Sequence, residues 1–129
     1  MTSAHVDTFA NDRLPQPDQQ PEYLFDLPEL QFPPQLNCAT ELLDRAIDKG
    51  WGDRVCIQAP GVRWTYADLL AHANRIANVL VTDMGLVPGN RVLLRAPNNP
   101  MLVASWFAVM KTGGIAVATM PLLRAKEIK

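Results

Sequence analysis

The sequence predicts an α/β protein and an incomplete domain, on three observations. Arg54-Val-Cys-Ile-Gln58 and Val62-Arg-Trp-Thr-Tyr66 are two β-rich runs either side of Ala59-Pro60-Gly61, the punctuation of a hairpin. Leu69, Ala73, Ile76, Ala77, Leu80 and Met84 recur at a 3.6-residue period and end at Gly85, which gives a capped helix. Arg91 to Pro121 reads strand, helix, strand. That span is close to the ~30 residues of a βαβ unit, whose strands run parallel with a right-handed crossover.

The elements follow in order. The first 36 residues hold six of the 11 prolines and no periodic pattern, so they are expected to form an extended arm, mobile up to about residue 20. Tyr23-Leu-Phe-Asp-Leu-Pro-Glu-Leu30 adds large apolar side chains to this arm, suited to lie along the protein's own surface or to dock on another protein. Asn37 or Thr40 can cap a first helix in which Leu42, Leu43, Ala46 and Ile47 share a face, Glu41 pairs with Arg45, and Gly50 ends the run. Thr65 with Asp68 three residues later forms a variant capping box for the second helix. Arg91-Val-Leu-Leu-Arg95 has the continuous apolar centre of a strand covered on both faces. Asn99 is the expected N-cap and Pro100 the first residue of a helix to Thr112, where the missing proline N–H costs nothing. Nine of the ten positions from Met101 to Met110 in that helix are apolar, leaving Ser105 to face water, so it must be covered on both sides. Gly113-Gly114 end it and launch Ile115-Ala-Val-Ala118; the last eight residues look like the opening turn of another helix.

Composition excludes several function classes. Twelve Lys plus Arg against 13 Asp plus Glu leave a net charge of −1, with no basic stripe for phosphates, so no nucleic-acid partner is expected. The N-terminus lacks the charge and apolar run of a signal peptide, and no apolar stretch reaches the ~20 residues of a membrane span, which points to the cytoplasm. Cys38 and Cys56 have no Cys-x-x-Cys spacing and are expected to be reduced packing residues.

The motif inventory is equally restrictive. There is no Gly-x-x-x-x-Gly-Lys-Ser/Thr, Gly-x-Gly-x-x-Gly, Gly-x-Ser-x-Gly or His-Glu-x-x-His. Lys111-Thr112-Gly113-Gly114 carries glycines, but they follow a helix, whose carbonyl end repels anions. His72 stands one turn after Asp68, a solvated pair rather than a metal site, since no second ligand lies at helical spacing. Ser105 has no neighbouring His and is expected to bond back to its own helix. Asn98 and Asn99 fall at the carboxyl end of the first parallel strand, and Thr119-Met-Pro-Leu-Leu123 after the second, where open α/β sheets place ligands.

Trp64-Thr-Tyr-Ala-Asp-Leu-Leu70, followed by the helix through Leu80, resembles the first core motif of the adenylate-forming (AMP-dependent) synthetase and ligase superfamily, Leu-Thr-Tyr-x-Glu-Leu. Lys111-Thr-Gly-Gly-Ile-Ala-Val-Ala-Thr-Met-Pro121 resembles its second, and Gly85-Leu-Val-Pro-Gly-Asn-Arg-Val92 its glycine-loop entry to a strand, in matching order and spacing. Tyr23 to Leu30, Leu36-Asn-Cys38, Asn98-Asn-Pro-Met101 and Pro121 to Glu127 resemble the 2-aminobenzoate-CoA ligase branch, with benzoate-CoA ligases close by.

The resemblance implies the N-terminal part of the large domain of such enzymes: residues 1–36 an arm, residues 37–129 a partial ligase domain. It implies a small carboxylic acid as substrate, attack of its carboxylate on ATP to give an acyl-adenylate, and transfer to coenzyme A, with magnesium screening the phosphates. The family's phosphate loop, its nucleotide-binding aspartate and its mobile lysine lie downstream of these motifs. Catalytic, cofactor-binding and metal-binding residues are therefore none in this chain. Tyr66, Gly113 and Pro121 match family positions of structural role. The chain alone is expected to be inactive, to bind no cofactor, and to need the remainder of its own domain as partner. The alternative is a non-catalytic α/β binding or scaffold module derived from a ligase front end. A receiver- or flavodoxin-like enzyme is disfavoured, because the strand ends carry Arg95 and Thr119 without clustered carboxylates.

Overall fold

Residues 3–128 are described in a computed structural model of the chain. Asn37, not Thr40, caps the first helix: its Oδ1 accepts from the amides of Ala39 (3.0 Å) and Thr40 (3.3 Å). The chain then passes through a wide π-type turn, Thr40–Asp44, into α1, Arg45–Asp48. Glu41 and Arg45 pair at 2.9 Å. The expected apolar face is corrected here: Leu43 is 1% exposed and Ala46 is buried, but Leu42 is 57% exposed. A turn closed from i to i+5 rotates less per residue than an α-helix, which swings Leu42 off the buried stripe.

Strands β1, Val55–Ala59, and β2, Val62–Thr65, form the antiparallel hairpin, with Ala59 opposite Val62, Ile57 opposite Trp64, and a bulge between Val55 and Ile57. Cys56 is half-buried and its thiol donates to the Trp64 carbonyl at 3.6 Å; burial pushes that thiol's pKa up. Cys38 is exposed, so it is not the packing residue expected.

Helix α2, Tyr66–Asn78, starts on the complete capping box: the Asp68 amide donates to Thr65 Oγ1 (3.2 Å) and the Thr65 amide to Asp68 Oδ2 (2.9 Å). These bonds, the Thr65 amide first and then its hydroxyl, hold the Asp68 carboxyl below its ordinary value. A depressed carboxylate contributes stability that is present above its unfolded pKa and lost as pH falls through the folded one. The cap therefore weakens only in acid, below the ordinary Asp range. Thr65→Ala is expected to cost about 1 kcal/mol, read as a lower urea midpoint with unchanged slope.

A second wide turn, Val79–Asp83, ends α2, and the Leu86 amide closes back on the Leu80 carbonyl at 2.8 Å, with Gly85 at φ 66° as the expected terminator. Met84 was expected on the buried stripe but is 72% exposed. The widened turn takes it out of phase with Leu80.

Strand β3, Arg91–Arg95, helix α3, Pro100–Lys111, and strand β4, Ile115–Thr119, form the βαβ unit. β3 and β4 are parallel and in register from Arg91–Ile115 to Arg95–Thr119. Asn99 caps α3, its Oδ1 accepting from the Leu102 amide at 2.9 Å. A short α4, Ala125–Ile128, follows.

Two apolar clusters organise the interior. Leu43, Leu69, Ala73 and Ala104 form one, packed against Ile57, Trp64 and Phe107; Ala77, Leu80, Ala108 and Val109 form the other, under Val92, Leu94 and Ala116. Alanines at four-residue spacing on both α2 and α3 let the two backbones approach closely. Both helices thus lie on one face of the β3–β4 sheet. The opposite face is open: Leu93, paired with Val117, is 49% exposed and Val117 40%. α3 is buried or half-buried from Ala104 to Lys111. Ser105 is half-buried, and Met101 and Val103 are exposed instead.

Residues 3–36 contain three short 3₁₀ turns, Asn11–Arg13, Pro17–Gln19 and Pro28–Leu30, and no strand. Tyr23 stacks on Phe25 (6.2 Å) and Phe25 meets Phe32 edge-on (5.9 Å), all three exposed. Within the arm, Asp7 is bonded to Asn90 and Arg91 of the body. Contacts across 80 residues of chain leave no local signature in the sequence. Residues 1 and 2 lie outside the described ones.

Candidate functional site

The parallel strands deliver their carboxyl ends side by side, and the loop after β4 is tied back to the end of β3. From the end of β3, Arg95 donates to the carbonyls of Pro121 (2.7 Å) and Leu123 (2.6 Å) in the loop after β4. Charge-assisted bonds from one guanidinium to two carbonyls fix that loop against the first strand. The bracing role of Arg95 has no sequence signal, because the partners are backbone atoms 26 and 28 residues away.

Thr119, at the tip of β4, has a buried hydroxyl without a partner among the described residues. Asn99 is occupied by the α3 cap, while Asn98 is exposed beside it. Met120 and Leu122 of the following loop are exposed. Thr119 lies opposite Arg95 in the parallel register, and Asn98 and Asn99 follow Arg95 in the turn before α3. Two open grooves, about 430 Å³ along Leu80, Met84, Leu86 and Val92 and about 510 Å³ along Asn74, Val81, Lys111 and Thr112, lie elsewhere.

The remaining sequence candidates resolve into structural roles. Lys111 forms an ion pair with Asp44, and the Thr112 hydroxyl donates to the Val109 carbonyl at 2.9 Å. The Gly114 amide is spent on Val109 (2.9 Å), so the Lys111–Gly114 turn offers a finished helix end and not a phosphate cradle. His72 does not bond to Asp68. Its ring stacks on Trp64 at 4.2 Å, and Nδ1 lies 3.2 Å from the Arg75 guanidinium. The indole face is the better partner because His72 is half-buried while Asp68 is turned to the cap. Ser105 makes no hydrogen bond to its helix among the described residues, contrary to expectation.

Among the described residues no group of three His, Cys, Asp or Glu is gathered to hold a metal ion. Arg95 is committed to the Pro121 and Leu123 carbonyls. No helix among them is long and apolar enough to cross a membrane.

A hairpin, a capped helix and a parallel βαβ unit define the chain as α/β. The chain belongs to the AMP-binding enzyme family, which it matches over residues 43–129. It is 40% identical over 85 residues to acetyl-coenzyme A synthetase of Mycobacterium tuberculosis, covering 61% of this chain and 13% of the relative. It is 30% identical over 100 residues to 3-hydroxybenzoate--CoA/4-hydroxybenzoate--CoA ligase of Thauera aromatica, covering 78% of this chain and 19% of the relative. The crystal structure of the anthranilate CoA ligase AuaEII in complex with anthranoyl-AMP superposes with a TM-score of 0.69 at 27% identity, over 75% of this chain and 18% of that one. The chain thus spans less than a fifth of these relatives and matches the N-terminal part of the adenylate-forming fold.

Proposed function

We propose that the chain is the N-terminal part of an acid-CoA ligase that activates an aryl carboxylate, such as 2-aminobenzoate or benzoate, with ATP and passes the acyl group to coenzyme A in the cytoplasm. The likeness to an anthranilate ligase holding its acyl-adenylate carries this reading, supported by the hydroxybenzoate ligase. Residues 1–36 are the arm and 37–129 the partial domain. Catalytic, magnesium-binding and coenzyme A-binding groups are assigned to the rest of the enzyme. This chain contributes the β3–α3–β4 frame and the loop braced by Arg95.

The test is AMP release with ATP, magnesium and coenzyme A across benzoate, 2-aminobenzoate, acetate and a long-chain acid, on the chain alone and within a complete ligase. We expect turnover only in the complete enzyme, fastest with the aromatic acids. Preference for an aliphatic acid would refute the aryl assignment, and activity or calorimetric ATP binding by the chain alone would refute its dependence on the remainder. A complete protein inactive with every acid would favour the scaffold alternative.

A further inference from the structure

The loop before β3 is built around one side chain from the other end of the sequence. The amides of Val6 and Asp7 both donate to the Pro88 carbonyl at 2.9 Å. Asp7 Oδ2 accepts from Asn90 Nδ2 at 2.8 Å and from the Arg91 guanidinium, and Oδ1 accepts from the Phe9 amide at 3.0 Å. Arg91 also lies over the Phe9 ring, 4.6 Å from its centre, and Arg13 covers the same ring at 3.7 Å. Between these partners stands Gly89, at φ 94°, where a Cβ would fall 2.1 Å from the Asp7 carbonyl oxygen. Backbone acceptor, amide, guanidinium and a position open only to glycine all converge on one acidic residue.

The far end of the arm is fastened nearby. Asn37 Nδ2 donates to the Met110 carbonyl at 3.0 Å, at the end of α3. That end is joined to the first loop, because the Gly89 amide donates to the Gly113 carbonyl at 2.8 Å. Both attachments therefore sit at the amino end of β3 and β4, opposite the strand ends that Arg95 braces.

We propose that Pro88–Arg91 is a carboxylate-reading socket for the chain's own segment His5–Phe9, so that residues 8–36 form a strap fastened at both ends on the amino edge of the parallel sheet. The strap holds Tyr23, Phe25 and Phe32 within reach of the body while leaving the carboxyl edge clear. The Asp7 carboxyl lies below its ordinary pKa, first through the Phe9 amide and then through Arg91 and Asn90, in keeping with a socket that favours the charged form.

Amide hydrogen exchange on the whole chain tests this. The Val6 and Asp7 amides are expected to exchange about tenfold or more slowly than in a free peptide of residues 1–14, as amides closed by a local structure do. Asp7→Ala should return both to the peptide rate while amides of β3 and β4 keep their protection, and Gly89→Ala should release the same two amides. Peptide-rate exchange at Val6 and Asp7 in the unchanged chain overturns the proposal, as does protection that survives either variant. Loss of β3–β4 protection in Asp7→Ala overturns it too, since Asp7 would then support the core rather than fasten a strap.

Discussion

Leu43→Ala is expected to lower the unfolding free energy by about 2–5 kcal/mol, and Leu42→Ala, one residue away, by no more than about 0.5 kcal/mol. Leu43 is one of the two largest fully buried side chains and reaches Leu69, Ala73 and Ala104, where α1, α2 and α3 meet. Two of its three buried cluster partners are alanines, which cannot spread to refill the space, while Ile57, Trp64 and Phe107 flank the same cluster and can close in only in part. A whole domain is stable by only about 5–15 kcal/mol, so this deletion removes a large share of the margin. Leu42 is 57% exposed and loses little. Urea denaturation of both variants reads the contrast directly. Equal midpoints would show that the first helix winds as a plain α-helix with both leucines on one stripe.

That pair also marks where sequence reasoning stops. Local rules located the caps at Thr65 and Asn99 and the terminator at Gly85, because each depends on residues within one turn of chain, and the strand–helix–strand length located the parallel pairing of β3 with β4. Periodicity failed at Leu42 and Met84, both next to turns wound more widely than an α-helix, a choice made by packing and not by propensity. At the strand ends, Asn98, Asn99 and Thr119 were legible from topology alone. Arg95, which fastens the loop there, was not, since carbonyl oxygens have no identity in a sequence. The Asp7 socket was hidden for the same reason: an aspartate in a polar, proline-rich arm looks like any other until Asn90 and Arg91 meet it.

Replacing Leu93 and Val117 together with lysine should have opposite effects in two settings. These side chains pair across β3 and β4 on the face that α2 and α3 do not cover. Parallel sheets are stable with both faces covered, and burying a leucine or valine contributes about 1.5–3 kcal/mol each. In the 129-residue chain that contribution is not collected, and Leu93 and Val117 stay 49% and 40% exposed. The chain is therefore expected to bind an apolar dye and to self-associate, and the double variant to do both less without a lower melting temperature. Within a complete ligase the same two lysines would be buried without partners, at a cost on the order of 3–5 kcal/mol each, enough to abolish folding and AMP release. Unchanged dye binding in the chain, or full activity in the complete enzyme, would mean that this face is left open in the whole protein, and the βαβ unit would then need another source of cover.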